Sequence, residues 1–98
     1  MRILKGILKE SKEYYQKIEH EILKRLKSLP KGSIKRRTIK GHIYYYVQFR
    51  KGTKIIQIYL GKVKPMELER KIVEREKLKR ELKETRQSLK LLNKVKNA

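Results

Sequence analysis

The sequence predicts an α+β fold: a long helix, a three-stranded antiparallel β-meander and a second long helix, in that order. Apolar residues recur at gaps of three and four over residues 3–29 and again over residues 66–93, which is the spacing of one helix face. The segment between them is rich in β-branched and aromatic residues and contains two Lys-Gly pairs suited to hairpin turns. A chain of 98 residues has room for one small core, so we expect a single domain over residues 1–98.

The first helix is predicted within residues 1–30. Its apolar stripe is broken only by the small residue Ser11, and Glu13 and Lys17 can form an i,i+4 ion pair in the favoured order. Pro30 and Gly32 should end the helix, because both residues disfavour its continuation. The stripe consists of Leu4, Leu8, Ser11, Tyr15, Ile18, Ile22, Leu26 and Leu29.

Three strands are predicted within residues 33–61, joined by Lys40-Gly41 and Lys51-Gly52 as two-residue turns. Lys-Gly is a weaker turn signal than Asn-Gly, so a β-bulge could shift the register by one residue. The strand segments read "SIKRRTIK", "HIYYYVQFR" and "TKIIQIYLG".

Counting outward from these turns sets the register of the predicted sheet. Val47 lies opposite Ile34 on one side and Ile56 on the other, and Tyr45 lies opposite Ile58. Because side chains alternate along a strand, these residues share one apolar face, and Tyr45 points toward the core. We expect that face to be covered by apolar residues near the helix ends, namely Ile22, Leu26, Leu29, Met66, Leu68 and Ile72.

The second helix is predicted over residues 65–93, with Pro65 at its first position and residues 94–98 as a frayed tail. Arg75 and Thr85 interrupt its apolar stripe, which makes it a poor coiled-coil seam. We expect the two helices to run antiparallel, with the sheet capping one end of the pair. The stripe consists of Leu68, Ile72, Leu78, Leu82, Leu89 and Leu92.

Charge is unevenly distributed along the chain. The net charge is +19, from 29 Lys and Arg residues against 10 Asp and Glu residues. Residues 31–65 contain 10 of the cations and no acid. A segment of this kind attracts polyanions, so the predicted sheet is the first place to look for a nucleic-acid site.

The second face of the predicted sheet combines cations, amides and tyrosines. We expect Arg37, Arg50 and Lys35 to contact phosphates or guanine edges, and Gln48 and Gln57 to contact adenine edges or phosphates. The tyrosines would pack on the sugar-phosphate chain, and the lysines at the turns would position the backbone of the nucleic acid. The predicted nucleic-acid-binding residues are Lys35, Arg37, Lys40, Tyr44, Tyr46, Gln48, Arg50, Lys51, Lys54, Gln57 and Tyr59.

Other classes of function find little support in the sequence. The chain has no cysteine, His20 and His42 are far apart, and no Gly-rich phosphate cradle is present, so we expect no enzyme activity, metal site or cofactor. No apolar run has the roughly 18 residues of a membrane span, and the N-terminus lacks a signal-peptide core, which predicts a cytoplasmic protein, nucleoid-associated if it binds DNA. The composition also resembles that of thermophile proteins.

Two alternatives to duplex DNA binding stay open at this point. Exposed aromatics on a basic sheet also stack unpaired bases, so structured or single-stranded RNA is the second ligand class. The alternating Glu and Lys residues between 67 and 84 would instead suit a helical protein-interaction module, or a homodimer formed through the helices.

The segment from Leu29 to Lys62 carries a recognisable pattern: Lys-Gly-Ser, then Gly-x-x-Tyr-Tyr-Tyr, then Tyr-Leu-Gly-Lys. It resembles a family of small uncharacterised archaeal and bacterial proteins, known as a domain of unknown function, in which a basic β-meander precedes a charged helix. It is also similar to a stretch near the N-terminus of certain insertion-sequence transposases. More loosely, it resembles the three-stranded sheets with which integrase arm-binding and plant-type transcription-factor domains read the major groove. The likeness covers about a third of the chain. It implies a function that involves nucleic acid, but no established activity. The matching residues are Gly32, Ser33, Gly41, Tyr44, Tyr45, Tyr46, Tyr59, Leu60, Gly61 and Lys62.

Overall fold

A computed structural model of the chain confirms the predicted order of elements. The structure describes residues 2–95, with side chains from Lys5 onward. It contains two compact units: one holds the first helix and the second helix from Glu76 onward, and the other runs from Leu29 to Arg75. Within the described residues, neither helix is long and apolar enough to cross a membrane. The elements are α1 (Arg2–Ser28), β1 (Ser33–Ile39), β2 (His42–Lys51), β3 (Lys54–Gly61) and α2 (Met66–Val95).

The helices begin and end close to the predicted positions. Helix α1 stops at Ser28, whose hydroxyl donates to the carbonyl of Arg25 at 2.8 Å. Helix α2 begins after Pro65, whose carbonyl accepts a 2.9 Å bond from the backbone N–H of Glu69. It continues to Val95, so the frayed tail predicted from residue 94 begins too early, and residues 96–98 lie outside the described residues.

The apolar stripes of both helices are the ones that the sequence predicts. Residues Leu8 to Ile18 of the α1 stripe are half-buried and Ile22 is buried, while the side chain of Leu4 lies outside the described residues. In α2 the expected interruptions do not break the stripe: Thr85 is buried, and Arg75 is half-buried. The long stem of an arginine can pack along apolar surface while its head group stays hydrogen-bonded. Here the Arg75 guanidinium donates to the carbonyl of Leu29 at 3.4 Å.

The first hairpin of the sheet has the predicted register, and the second does not. Strand β2 lies between β1 and β3, and Val47 pairs with Ile34 as expected. On the other side Val47 pairs with Ile58 rather than Ile56, because the turn is Gly52-Thr53 instead of Lys51-Gly52. Gly52 takes a φ of +63° as the first central residue, as a type II′ turn requires. The shift is two residues, so each side chain of β3 keeps its predicted face.

A β-bulge separates the two halves of the β2–β3 pairing. Tyr46 pairs with Tyr59, but Tyr45 pairs with Gly61, so Leu60 is the extra residue on β3. The predicted pairing of Tyr45 with Ile58 is therefore wrong. Gly61 has a φ of +119°, a conformation that a residue with a side chain rarely adopts. The bulge thus depends on the glycine at the last position of β3.

The buried core of the sheet unit is smaller than the sequence suggests. Its buried apolar side chains are Leu29, Val47 and Ile72. Tyr45 is on the face of Val47, as predicted, but is only half-buried, and 48% of Ile58 is exposed. Met66 was expected to cover this face, yet 67% of it is exposed. A chain in which 40% of the residues are charged has few apolar side chains with which to cover a sheet.

Because the core is small, two adjacent residues of α2 should differ strongly in their contribution to stability. Ile72→Ala should lower the free energy of unfolding by about 2–5 kcal/mol, because it empties a buried site. Val73→Ala is the control: 62% of Val73 is exposed, and the change should stay within about 0.5 kcal/mol. Urea unfolding followed by circular dichroism measures both. Equal losses would contradict the burial of Ile72.

Candidate nucleic-acid interface

One face of the sheet, which we call the outer face, lies opposite the side that buries Val47. Strand pairing places Lys35, Tyr46 and Tyr59 side by side in one row across all three strands. Gln48 and Gln57 lie side by side in a second row, across β2 and β3. Most of the predicted binding residues are therefore brought together on one surface. The outer face consists of Ser33, Lys35, Arg37, Ile39, His42, Tyr44, Tyr46, Gln48, Arg50, Ile55, Gln57 and Tyr59.

Three of the predicted residues lie beside the turns rather than on the outer face. Lys40 is the first turn residue of the β1–β2 hairpin and has a positive φ of 51°. Lys51 and Lys54 pair with each other at the second turn, one position beyond Arg50 and Ile55. By strand alternation they belong to the opposite face. All three lysines are exposed, so they add charge at the two ends of the sheet.

The tyrosines of the outer face form one cluster. Tyr59 is its centre: its ring centroid lies 6.2 Å from that of Tyr44 and 5.5 Å from that of Tyr46, in tilted arrangements. Together with Ile39 the three rings line an open depression of about 270 Å³. Tyr44 and Tyr46 are half-buried, while 54% of Tyr59 is exposed. The cluster offers aromatic surface on which a sugar or a base could stack.

Two cations lie against these rings. The Cζ atom of Arg37 is 5.0 Å from the ring centroid of Tyr46, and the Nζ atom of Lys62 is 5.7 Å from that of Tyr44. Both distances are within the range of a cation–π attraction, which is worth about 0.5–1 kcal/mol at an exposed site. The rings therefore help to hold two positive charges over the outer face.

A hydrogen-bonded chain of three side chains crosses the outer face. The Nη2 atom of Arg37 donates to Oε1 of Gln57 at 2.7 Å. The Nε2 atom of Gln57 donates in turn to Oε1 of Gln48, also at 2.7 Å. Arginine has donors only, so it turns the oxygen of Gln57 toward itself and the NH₂ group of Gln57 toward Gln48. Arg37 therefore fixes the orientation of both amides.

The direction of this chain determines which ligand groups it can bind. Each amide oxygen already accepts a hydrogen bond, whereas the NH₂ group of Gln48 and other N–H groups of Arg37 remain as donors. Such a surface suits hydrogen-bond acceptors, such as phosphate oxygens or the O6 and N7 atoms of guanine. Bidentate recognition of adenine needs an amide oxygen as well as an NH₂ group. Each amide oxygen keeps a second lone pair, so the expected contacts of Gln48 and Gln57 with adenine stay a prediction.

The acids nearest in sequence to the sheet are paired with other side chains. No acid occurs between residues 31 and 65. At the start of α2, Glu67 binds Arg70 at 2.7 Å, and Glu69 lies 3.5 Å from Lys64. These carboxylates neutralise their own partners, which leaves the positive charge of β1, β2 and β3 without an acidic neighbour in the same segment.

The predicted binding residues leave out Ile39, which lines the tyrosine depression, and Lys62, which lies against Tyr44. Ile39 follows Lys35 and Arg37 at the two-residue spacing of a strand, so alternation alone could have placed it on the outer face. Lys62 lies beyond the bulge at Leu60, which carries no clear signal in the sequence. Within the described residues, no three His, Cys, Asp or Glu side chains are grouped so that they could hold a metal ion.

Fold and site together define a small α+β protein whose antiparallel sheet has one basic, tyrosine-rich face. The chain belongs to the family described as a domain of unknown function, DUF6788, which it matches over residues 5–70. The match begins in α1, so the first helix is part of the family pattern and the shared region is longer than the meander alone. No curated protein matches the chain, and no solved structure does. The likeness to transposases and the archaeal source stay predictions.

The chain of hydrogen bonds can be tested without any ligand. Arg37→Ala removes the donor that orients Gln57, so the side-chain amides of Gln57 and Gln48 should become more mobile. Heteronuclear relaxation of their NH₂ groups by NMR measures this change. Arg50→Ala is the control, because it removes an equal charge from the same face without breaking the chain. If the two amides are as ordered in Arg37→Ala as in Arg50→Ala, Arg37 does not orient them.

Proposed function

We propose that the protein binds nucleic acid through the outer face of its sheet, with duplex DNA as the preferred ligand. The observation that carries the proposal is the composition of that face: its charged side chains Lys35, Arg37 and Arg50 are all cations. They surround hydrogen-bond donors and exposed aromatic surface. Phosphate contacts from such cations supply most of the affinity of a protein for DNA.

The dimensions of the sheet support a duplex as the ligand. Three strands spaced about 4.8 Å apart are roughly 10 Å wide, and a major groove is about 12 Å wide. In that setting Lys35 and Arg50 would bind phosphates on either side of the groove. Arg37 and the NH₂ group of Gln48 would point toward acceptors on base edges. We therefore propose a preference for guanine over adenine at the contacted position, from the direction of the hydrogen-bonded chain.

The tyrosine cluster favours a second candidate, which is binding of single-stranded or structured RNA. Unpaired bases stack on exposed aromatic rings, and the depression between Tyr44, Tyr46 and Tyr59 is open to solvent. Competition among a duplex, a single strand and a folded RNA of equal length separates the candidates. If the protein prefers duplex DNA, the duplex should be the strongest competitor for binding. If it prefers RNA, the single strand or the folded RNA should be the strongest.

Two adjacent arginines of β1 provide a matched test of the proposed surface. Arg37 lies on the outer face and Arg36, which pairs with Tyr45, lies on the opposite face. Arg37→Ala should weaken duplex binding by about 10- to 150-fold, since a charge-assisted contact is worth about 1.5–3 kcal/mol. Arg36→Ala removes the same charge and should weaken binding by less than about threefold. Fluorescence anisotropy with a labelled duplex measures both.

Several outcomes would contradict the proposal. If the unaltered protein does not bind duplex DNA at low salt, the proposed duplex binding is wrong. A loss for Arg36→Ala equal to that for Arg37→Ala would mean that binding depends on net charge and not on the outer face. Thermal melting of both variants establishes that the comparison is between folded proteins.

A further inference from the structure

The helix pair carries a strongly charged surface that the proposed function does not use. Along α1, Lys5, Lys12 and Glu19 follow one another at seven-residue spacing, so they lie on nearly the same side of the helix. Along α2, Lys79 and Arg86 are related in the same way. This spacing gives each helix a line of side chains that runs beside its half-buried apolar stripe.

An ion pair joins the two lines. The Nε atom of Arg86 lies 3.0 Å from Oε2 of Glu19, and it donates a hydrogen bond to that oxygen. The line that contains Lys5 and Lys12 on α1 and the line that contains Lys79 on α2 therefore lie on the same side of the helix pair. We call this surface the basic side of the helix pair; it consists of Lys5, Lys9, Lys12, Lys79, Lys83, Arg86 and Lys90.

Open grooves follow these cations on each helix. On α1, Lys5, Lys9 and Lys12 surround a hollow of about 180 Å³ with Leu8 at its base. On α2, the four cations of the basic side line a larger hollow of about 370 Å³ together with Leu82 and Gln87. Neither hollow is lined by an acid. Seven cations thus border these two hollows.

The acids of these helices lie mainly on the other side. At 100° per residue, Glu10 and Glu21 of α1 and Glu81 and Glu84 of α2 point away from the basic side. Glu19 and Glu76 lie beside the basic side, and each is paired with one of its cations: Glu19 with Arg86 at 3.0 Å and Glu76 with Lys79 at 3.9 Å. These two ion pairs partly cancel the charge of the basic side, and the other four acids named here lie away from it. Charge is therefore partly segregated around the helix pair.

We propose that the basic side of the helix pair binds the phosphodiester backbone of nucleic acid, as a second contact surface made of residues different from those of the sheet. The cations Lys79, Lys83, Arg86 and Lys90 extend over about 16 Å of helix, a length over which a DNA strand presents several phosphates. Such contacts position a nucleic acid without reading its sequence. The surface shares its ligand class with the proposed function but does not depend on the outer face.

The distribution of apolar side chains argues for nucleic acid rather than a membrane or a protein partner. Helices that lie on a membrane insert large apolar residues beside their cations, and protein interfaces need apolar or aromatic anchors. Here Leu8 and Leu82 are half-buried at the floor of the grooves. The exposed Ile7, Tyr14 and Leu91 belong by helical spacing to the opposite side. Among the described residues, the basic side thus combines cations with no exposed large apolar side chain.

A triple substitution with a charge-matched control tests this surface in the full chain. Lys9→Gln, Lys83→Gln and Lys90→Gln together remove three charges from the basic side, and Lys17→Gln, Lys24→Gln and Lys77→Gln remove three from the rest of the same helices. All six lysines are exposed, so both variants should fold. The measurement is duplex affinity as a function of salt, with a labelled DNA of about 30 base pairs. The slope of log K against log salt should become shallower by about 2–3 in the first variant, and should change by less than about 0.5 in the control.

The outcomes distinguish this inference from the proposed function. Equal slopes in the two triple variants would show that the basic side of the helix pair does not contact DNA. The effect of Arg37→Ala would then test, separately, whether the outer face of the sheet does. A reduced slope in the first variant, with Arg37→Ala without effect, supports the helical surface and overturns the sheet. If the first variant binds DNA normally but loses binding to vesicles containing phosphatidylserine, the surface recognises membrane lipid and the inference is wrong.

Discussion

The pairing of β2 with both of its neighbours is the interaction on which the rest of the molecule depends. Every side chain of β2 belongs either to the face of Val47 or to the face of Tyr46, and the hydrogen bonds to β1 and β3 decide what stands beside it. The same pairing buries Val47 and sets Arg37 over Tyr46. A slip of one residue would exchange the two faces and remove the core and the basic surface together.

Repulsion among like charges is the second constraint, and the structure limits it locally. A chain of net charge +19 destabilises its own compact state. On the sheet, Arg37 lies over an aromatic ring and against an amide oxygen, and Lys62 lies over another ring. These contacts place electron-rich groups next to cations where no carboxylate is present. The remaining repulsion would fall when an anion binds, so a polyanion that binds the folded chain should also stabilise it.

Much of the fold can be predicted from local sequence signals. The features that cannot be predicted in this way depend on which residues are brought together across the strands. Helical periodicity placed both helices within a few residues of their ends, and the Lys40-Gly41 turn gave the correct first hairpin. The second turn was ambiguous, because Gly52 can occupy the first or the second central position. Alternation placed the outer-face residues correctly, since a shift of two residues preserves parity. The bonds from Arg37 through Gln57 to Gln48 could not be predicted, because they join side chains on three strands.

The aromatic composition of the chain has a consequence for how it can be observed. It contains six tyrosines and no tryptophan. Four of the tyrosines are on β2 and β3, and three of these form the cluster around Tyr59. Ultraviolet emission from the protein therefore arises largely from the sheet, with no brighter chromophore to obscure it. The protein carries an intrinsic optical reporter at the surface where its cations gather, and occupancy of that surface can be followed by light without attaching a dye.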